Sequence, residues 1–169
     1  MQRPQPGEYA PYYHNYIQQV PEGDILEILA TQRESTRELL LGLTEVQGDF
    51  RYAPGKWTIK ELLGHLVDSE RVFSYRAMAF ARKDPAALPS MDQDIYVENG
   101  HFQRRTVPDL AGELYHQRSA NILLFASFDE ATGLRSGTAS GFEFTVRCFP
   151  YIIAGHERHH IKVLREHYL

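Results

Sequence analysis

Apolar residues recur at intervals of three and four over four segments of the chain, which is the spacing of an amphipathic helix. The predicted helices begin near Asp24, at Thr58, near Thr106 and at about residue 145. Thr58 opens a Thr-x-x-Glu capping box, the clearest start signal of the four. With no convincing series of strands between them, these helices predict an all-α four-helix bundle that forms one domain over residues 24–169.

The segments between the predicted helices carry turn-forming residues. Residues 1–23 contain four prolines and four tyrosines and predict an irregular N-terminal arm whose aromatic side chains pack on the domain. Residues 83–105 have no sustained period and predict a long loop between the second and third helices. The glycine-rich stretch 132–144 is either a small hairpin or a glycine loop. Pro150 either marks the start of the last helix or kinks its first turns.

Composition narrows the class of protein. A length of 169 residues, with 43% hydrophobic and 24% charged residues, fits a globular domain with a full core. The net charge of −4 argues against a nucleic-acid surface, and no apolar run is long enough to predict a membrane span. Cys148 is the single cysteine, which fits a reducing compartment. Without a signal-peptide pattern at the N-terminus, we expect a cytoplasmic protein.

The last predicted helix carries the strongest chemical signal, the sequence HERHH at residues 156–160. On a helical wheel at about 100° per residue, His156 and His160 fall within the apolar, core-facing stripe. His159 and Glu157 fall at its edges. Histidines at i and i+4 on one helical face can bind one metal ion. The alternative is a pair of core histidines with hydrogen-bonded ring nitrogens, because an unpaired buried imidazole costs free energy.

A metal site needs a third ligand, and in a bundle it would come from a facing helix. His65 flanks the apolar stripe of the second helix, and the adjacent Gly64 leaves room for a close approach. We therefore predict a metal site formed by His65, His156 and His160. Asp68, three residues after His65, is either a hydrogen-bond acceptor for that site or a solvated acid.

Three further residues are ambiguous in the sequence. His156-Glu157-x-x-His160 matches the zinc-metalloprotease pattern, in which the glutamate is the general base. Those enzymes take their third ligand downstream, and only nine residues follow His160, so we reject a protease but keep Glu157 as the predicted base. Arg76 lies in the same sector of the second helix as His65 and is either a site for an anionic substrate or a surface arginine. His167 is predicted to point inward, too far along the helix to share the metal.

These segments resemble the DinB/YfiT-like family. The resemblance rests on KWTIKELLGHLVDSE at 56–70, the Asp92-Gln93-Asp94 loop, and IAGHERHHIKVL at 153–164. The family's pattern combines a tryptophan before helix 2, one histidine within helix 2, and His-x-x-x-His in the last helix. The resemblance implies a four-helix bundle, commonly a homodimer, with three histidines on a divalent metal such as zinc or nickel.

Carried onto this sequence, the family's ligands are His65, His156 and His160, the trio that the helical wheel selects. Members with an assigned activity are thiol S-transferases that use low-molecular-weight thiols such as bacillithiol or mycothiol, and others are described as metal-dependent hydrolases. The resemblance thus favours thiol transfer to an electrophilic small molecule. Hydrolysis of a small amide or ester at the same site, a non-catalytic metal-binding stress-response protein, and a purely structural bundle remain the alternatives.

Overall fold

Four long helices form the body of the protein, as the apolar spacing predicts. The computed structural model describes residues 1–169. In chain order the helices are α1 (His14–Gln18), α2 (Ile25–Leu41), α3 (Glu45–Gly48), α4 (Ile59–Ala81), α5 (Gln93–Gly100), α6 (Val107–Ala126), α7 (Glu130–Gly133) and α8 (Cys148–His167). The two strands are β1 (Ser136–Ala139) and β2 (Phe142–Thr145), and 3-10 turns lie at Pro11–Tyr13 and Phe102–Arg104. Helices α2, α6, α4 and α8 pack in a closed ring, each against the next, which confirms the four-helix bundle.

The long helices begin where the capping signals place them. The Thr58 hydroxyl accepts from the Glu61 backbone N–H, and the Glu61 carboxylate accepts from the Thr58 N–H, so the predicted capping box is present. Asp24 and Thr106 cap α2 and α6 in the same way through their side-chain oxygens. Pro150 lies in the first turn of α8, where a backbone N–H has no helical partner to lose, and it therefore does not break the helix.

The N-terminal arm is more ordered than the prolines predict. Residues 11–18 form the 3-10 turn and α1, which corrects the expectation of an irregular arm, and α1 packs across α8. A Cβ at Gly155 would lie 2.0 Å from the Tyr16 carbonyl oxygen, so the crossing requires glycine there. The buried side chains of Tyr9 and Tyr13 confirm that the arm's aromatics pack on the domain.

The connection between α4 and α6 also contains structure that the sequence pattern does not reveal. It holds the eight-residue helix α5, capped by Asp92, so the prediction of a loop without secondary structure is wrong over that stretch. Phe102 after α5 packs over Gly64, where a Cβ would lie 2.3 Å from its ring. Residues 136–145 form the predicted hairpin through a turn at Ser140-Gly141, where φ is 52° and 79° at the two positions, as in a type I′ turn.

The core is divided into two apolar clusters by a polar layer. Along each long helix, buried polar side chains lie between residues of one cluster and residues of the other. The layer consists of Gln32 and Thr36 on α2, His65, Ser69 and Glu70 on α4, Arg118 and Asn121 on α6, and His156 and Glu157 on α8. Burying so many polar groups costs free energy unless each finds a partner, so the layer is where a functional site is expected.

Candidate metal centre

Three imidazole nitrogens converge in the polar layer. The Nε2 atom of His156 lies 3.0 Å from Nε2 of His65 and 3.1 Å from Nε2 of His160. The ligand atoms of the three residues all lie within 4.8 Å of one another. Two of the histidines are on successive turns of α8 and the third is on α4, which packs against it. The predicted trio is therefore brought together by the fold.

The donor set fits a metal ion. Nitrogens about 2.0–2.1 Å from a tetrahedral zinc are about 3.3 Å apart, close to the separations between His156 and its two neighbours. The Ser69 hydroxyl lies 3.4 Å from Nδ1 of His65 and can accept a hydrogen bond from Nδ1–H. In that tautomer Nε2 carries a lone pair. Nitrogen lone pairs this close repel one another unless a proton or a cation lies between them.

Burial keeps the three imidazoles in the state that binds metal. His65 is 3% and His156 is 7% exposed. Burial lowers the pKa of His65 to about 4 and that of His160 to about 3, and it holds the pKa of His156 well below its ordinary value. All three rings are consequently neutral at physiological pH, and a metal ion would not have to displace protons from imidazolium groups.

Aromatic side chains pack against the histidine cluster. The Trp57 ring centroid lies 4.8 Å from that of His65, and the Tyr16 and Phe73 rings meet His156 edge-on at 5.5 and 5.8 Å. Trp57 comes from the turn before α4, and Tyr16 from α1. The N-terminal arm is thus part of the site.

A buried charge network lies beside the histidines in the same layer. The Arg118 guanidinium, 2% exposed, donates from Nε and Nη2 to the Glu70 carboxylate at 2.7 Å. Its Nη2 also lies 2.6 Å from Oε2 of Glu157, and Thr36 donates to Oε1 of Glu157. Asn121 donates to Glu70 at 3.0 Å. With two carboxylates and one guanidinium, the network carries a formal charge of −1, and, in addition to burial, the Arg118 charge contributes to lowering the pKa of the adjacent His156.

A cavity of about 470 Å³ opens on one side of the cluster. His65 and His156 form part of its wall together with side chains of the arm, α4, the α4–α5 loop and the hairpin. The other lining residues are Tyr12, Tyr13, Tyr16, Ser69, Val72, Phe73, Arg76, Ser90, Met91, Gln93, Ser140 and Phe142. A volume of this size suits a small molecule.

Several residues that the sequence singles out lie elsewhere. His159 is half-buried against Tyr16, with ring centroids 5.2 Å apart. His167, predicted to point inward, is exposed and stacks on Tyr52, because the apolar stripe narrows at the end of α8. Asp68 pairs with Arg71 at 3.5 Å, and no hydrogen bond joins it to His65.

The arginine of the network was not singled out from the sequence, and the aromatics of the arm were predicted to pack on the domain but not to form part of the site. Arg118 follows Leu114 by four residues on the buried stripe of α6. That position was the one sign in the sequence that the arginine is buried. Tyr16 and Gly155 mark the helix crossing next to His156, but neither carries a motif.

The fold and the site define a helical bundle with three histidines that could hold a metal ion. The family model for the DinB superfamily matches residues 28–164, and the chain belongs to that superfamily. Among solved structures, YfiT from Bacillus subtilis matches with a TM-score of 0.72 at 18% identity, over 98% of this chain and 90% of that one. It is described as a probable metal-dependent hydrolase with an unusual four-helix bundle topology. No curated protein matches the sequence.

None of the helices has the length and apolar character that crossing a membrane requires.

Proposed function

We propose that this protein is a metal-dependent enzyme that acts on a small molecule, with His65, His156 and His160 binding one divalent ion, zinc or nickel. The observation that carries the proposal is the convergence of three neutral imidazoles whose ligand atoms lie within 4.8 Å of one another, two of which, His65 and His156, line a 470 Å³ cavity. The description of YfiT as a probable metal-dependent hydrolase supports the same class.

The reaction we propose is transfer of a low-molecular-weight thiol to an electrophilic substrate. A bound metal ion supplies a lowered pKa for a coordinated thiol or water. The thiol proton passes to solvent, the sulfur forms a bond to the electrophilic carbon, and the leaving group departs with its electron pair. No aspartate or glutamate lines the cavity, and this reaction, unlike most hydrolyses, needs no carboxylate base.

The protein's own side chains prepare the site. The Ser69 hydroxyl can accept a hydrogen bond from Nδ1–H of His65, and in that tautomer the Nε2 lone pair faces the other two ligands. Trp57, Tyr16 and Phe73 pack against the histidines, and this apolar contact strengthens electrostatic interactions in the site.

The prediction that Glu157 is a general base remains untested, and its contacts favour another role. Its Oε1 accepts a hydrogen bond from the Thr36 hydroxyl, its Oε2 is in ion-pair contact with the Arg118 guanidinium at 2.6 Å, and it does not line the 470 Å³ cavity. We propose that Glu157 instead positions the adjacent His156 by fixing this part of α8.

The test compares metal-loaded and chelator-treated protein with a panel of thiols and a chloro-dinitro aromatic as electrophile. We expect a thiol-dependent rate that requires metal, disappears in His65→Gln and persists in His116→Gln, a matched change at an exposed histidine on α6. Turnover of a nitrophenyl ester that requires metal but no thiol would establish the hydrolase alternative. Metal binding with no turnover of either substrate would leave a non-catalytic metal-binding protein.

The family resemblance also leads us to propose a homodimer that acts in the cytoplasm. Sedimentation equilibrium of the purified protein tests the dimer, and a single species at the 19.5 kDa monomer mass would contradict it.

A further inference from the structure

Arg76 lines the 470 Å³ cavity next to the histidines and has no acidic partner. It lies on α4, eleven residues after His65, and is only 3% exposed. Its Nη2 donates to the Pro89 carbonyl at 2.7 Å and to the Ser140 hydroxyl at 3.1 Å, and it forms no ion pair. A buried guanidinium without a counter-ion is costly, so its charge requires an explanation.

The two hydrogen bonds hold the guanidinium in place without using most of its donors. Both come from Nη2, and a guanidinium has five N–H groups, so the three on Nε and Nη1 have no partner within the protein. Pro89 belongs to the α4–α5 loop and Ser140 to the hairpin turn. These two segments are joined by the Leu88 N–H, which donates to the Thr138 carbonyl, and by the Ser140 N–H, which donates to Leu88.

Arg76 is also the cavity's only formally charged side chain. The fourteen lining residues include no aspartate, glutamate or lysine and no other arginine, and the histidines among them are neutral. Seven of the fourteen lining residues are hydrophobic, and tyrosine, phenylalanine and methionine are among them. The cavity therefore combines an apolar wall with a single cation, and a guanidinium can bind an oxyanion through paired hydrogen bonds.

We infer that Arg76 is a substrate-binding residue that recognises an oxyanion, carboxylate or phosphate, on a molecule with an apolar body. Eleven residues of α4 correspond to about three turns and a rise of about 16 Å, so His65 and Arg76 share one face of the helix and the anion lies within roughly that distance of the histidines. The oxyanion site itself requires no metal. That the other end of the molecule reacts at the histidines rests on the proposed function.

The test uses chelator-treated protein and three ligands of similar shape: 4-phenylbutyrate, 3-phenylpropylphosphonate and the neutral 4-phenylbutyramide. Isothermal titration should show at least one anion binding about tenfold or more tightly than the amide, and the identity of that anion distinguishes carboxylate from phosphate. In Arg76→Gln the preference should disappear while amide binding is unchanged, which also reports that the cavity is intact. Arg82→Gln, an equal change of charge at the exposed end of α4, should keep the preference.

Equal binding of anions and amide by the wild-type protein overturns the inference, and so does an anion preference that survives Arg76→Gln. If Arg76→Gln does not fold, Arg76→Lys decides. Lysine keeps the charge but lacks the paired donors of a guanidinium, so the preference for the anion over the amide should fall without vanishing. An undiminished preference in Arg76→Lys would contradict the proposed oxyanion site.

The metal-loaded protein separates this inference from the proposed function. Turnover with ω-mercaptoalkanoates and with the corresponding mercaptoalcohols reports on the histidines. An anion preference in the metal-free protein without any turnover leaves the oxyanion site standing and refutes the enzyme. If the metal-loaded protein turns over mercaptoalkanoates and mercaptoalcohols equally well, and the metal-free protein binds anions and amide equally well, the oxyanion site is refuted and the proposed enzyme stands.

Discussion

Replacing Arg118 with methionine tests whether the charge network holds the bundle together around the histidines. The substitution keeps an apolar side chain of similar length but removes the cation between Glu70 and Glu157. Both carboxylates are almost fully buried, and each loses its contacts with the guanidinium at 2.6–2.7 Å. Thr36 and Asn121 remain as donors, so each carboxylate keeps one hydrogen bond but no counter-charge.

The expected cost follows from removing one member of a buried ionic network, about 3–5 kcal/mol. For a domain of this size, that corresponds to a fall in Tm of roughly 6–20 °C. Each carboxylate would then be a buried charge without a counter-charge, which is the origin of the cost.

Urea unfolding of metal-free protein, followed by far-UV circular dichroism, measures the change. Arg71→Met is the matched control, because that side chain is 52% exposed and its pairing with Glu113 should contribute less than about 1 kcal/mol. Adding Glu70→Gln and Glu157→Gln to Arg118→Met should recover part of the loss. A loss in Arg118→Met no larger than in Arg71→Met would refute the role given to the network.

Two further substitutions test how the N-terminal arm is attached. Gly155→Ala places a methyl group against the Tyr16 carbonyl, so it should destabilise the protein by about 1–3 kcal/mol and expose the arm to proteolysis. Gly112→Ala is the control, because a methyl group there lies in open space on α6. Equal stability of the two variants would contradict the close packing of α1 on α8. Hydrogen bonding to Arg147 lowers the pKa of Glu8 to about 2 from 4.5. The ion pair between Glu8 and Arg147 therefore stabilises the folded protein above pH 4.5, and this stabilisation is lost as the pH falls towards 2. Glu8→Gln should lower the free energy of unfolding by about 1 kcal/mol at neutral pH and by little in acid. A difference in stability between variant and wild type that does not change with pH would contradict this prediction.

The parts of this protein that depend on local sequence were predictable. The four long helices follow from a short-range period and from caps such as Thr58, which act within one turn. The histidine trio was accessible for the same reason. His156 and His160 share a face of one helix, and His65 was the histidine on a facing helix beside a glycine.

The missed features depend on contacts between distant segments. Helices α1 and α5 have five and eight residues, too short to be stable alone, and they form because they pack on α8 and α4. The ion pairs of Arg118 join α6 to α4 and α8, and a charged residue within one helix does not reveal partners on two others. Only the structure shows that buried polar residues occupy the same level on four helices.

The metal content of the purified protein tests whether His65, His156 and His160 form one metal site. Elemental analysis after loading with zinc or nickel and exhaustive dialysis should give one ion per chain in the wild-type protein. The variant with glutamine at all three positions should retain almost none, while His116→Gln should retain one. No ion in the wild-type protein, or a full equivalent retained by the triple variant, would contradict the account.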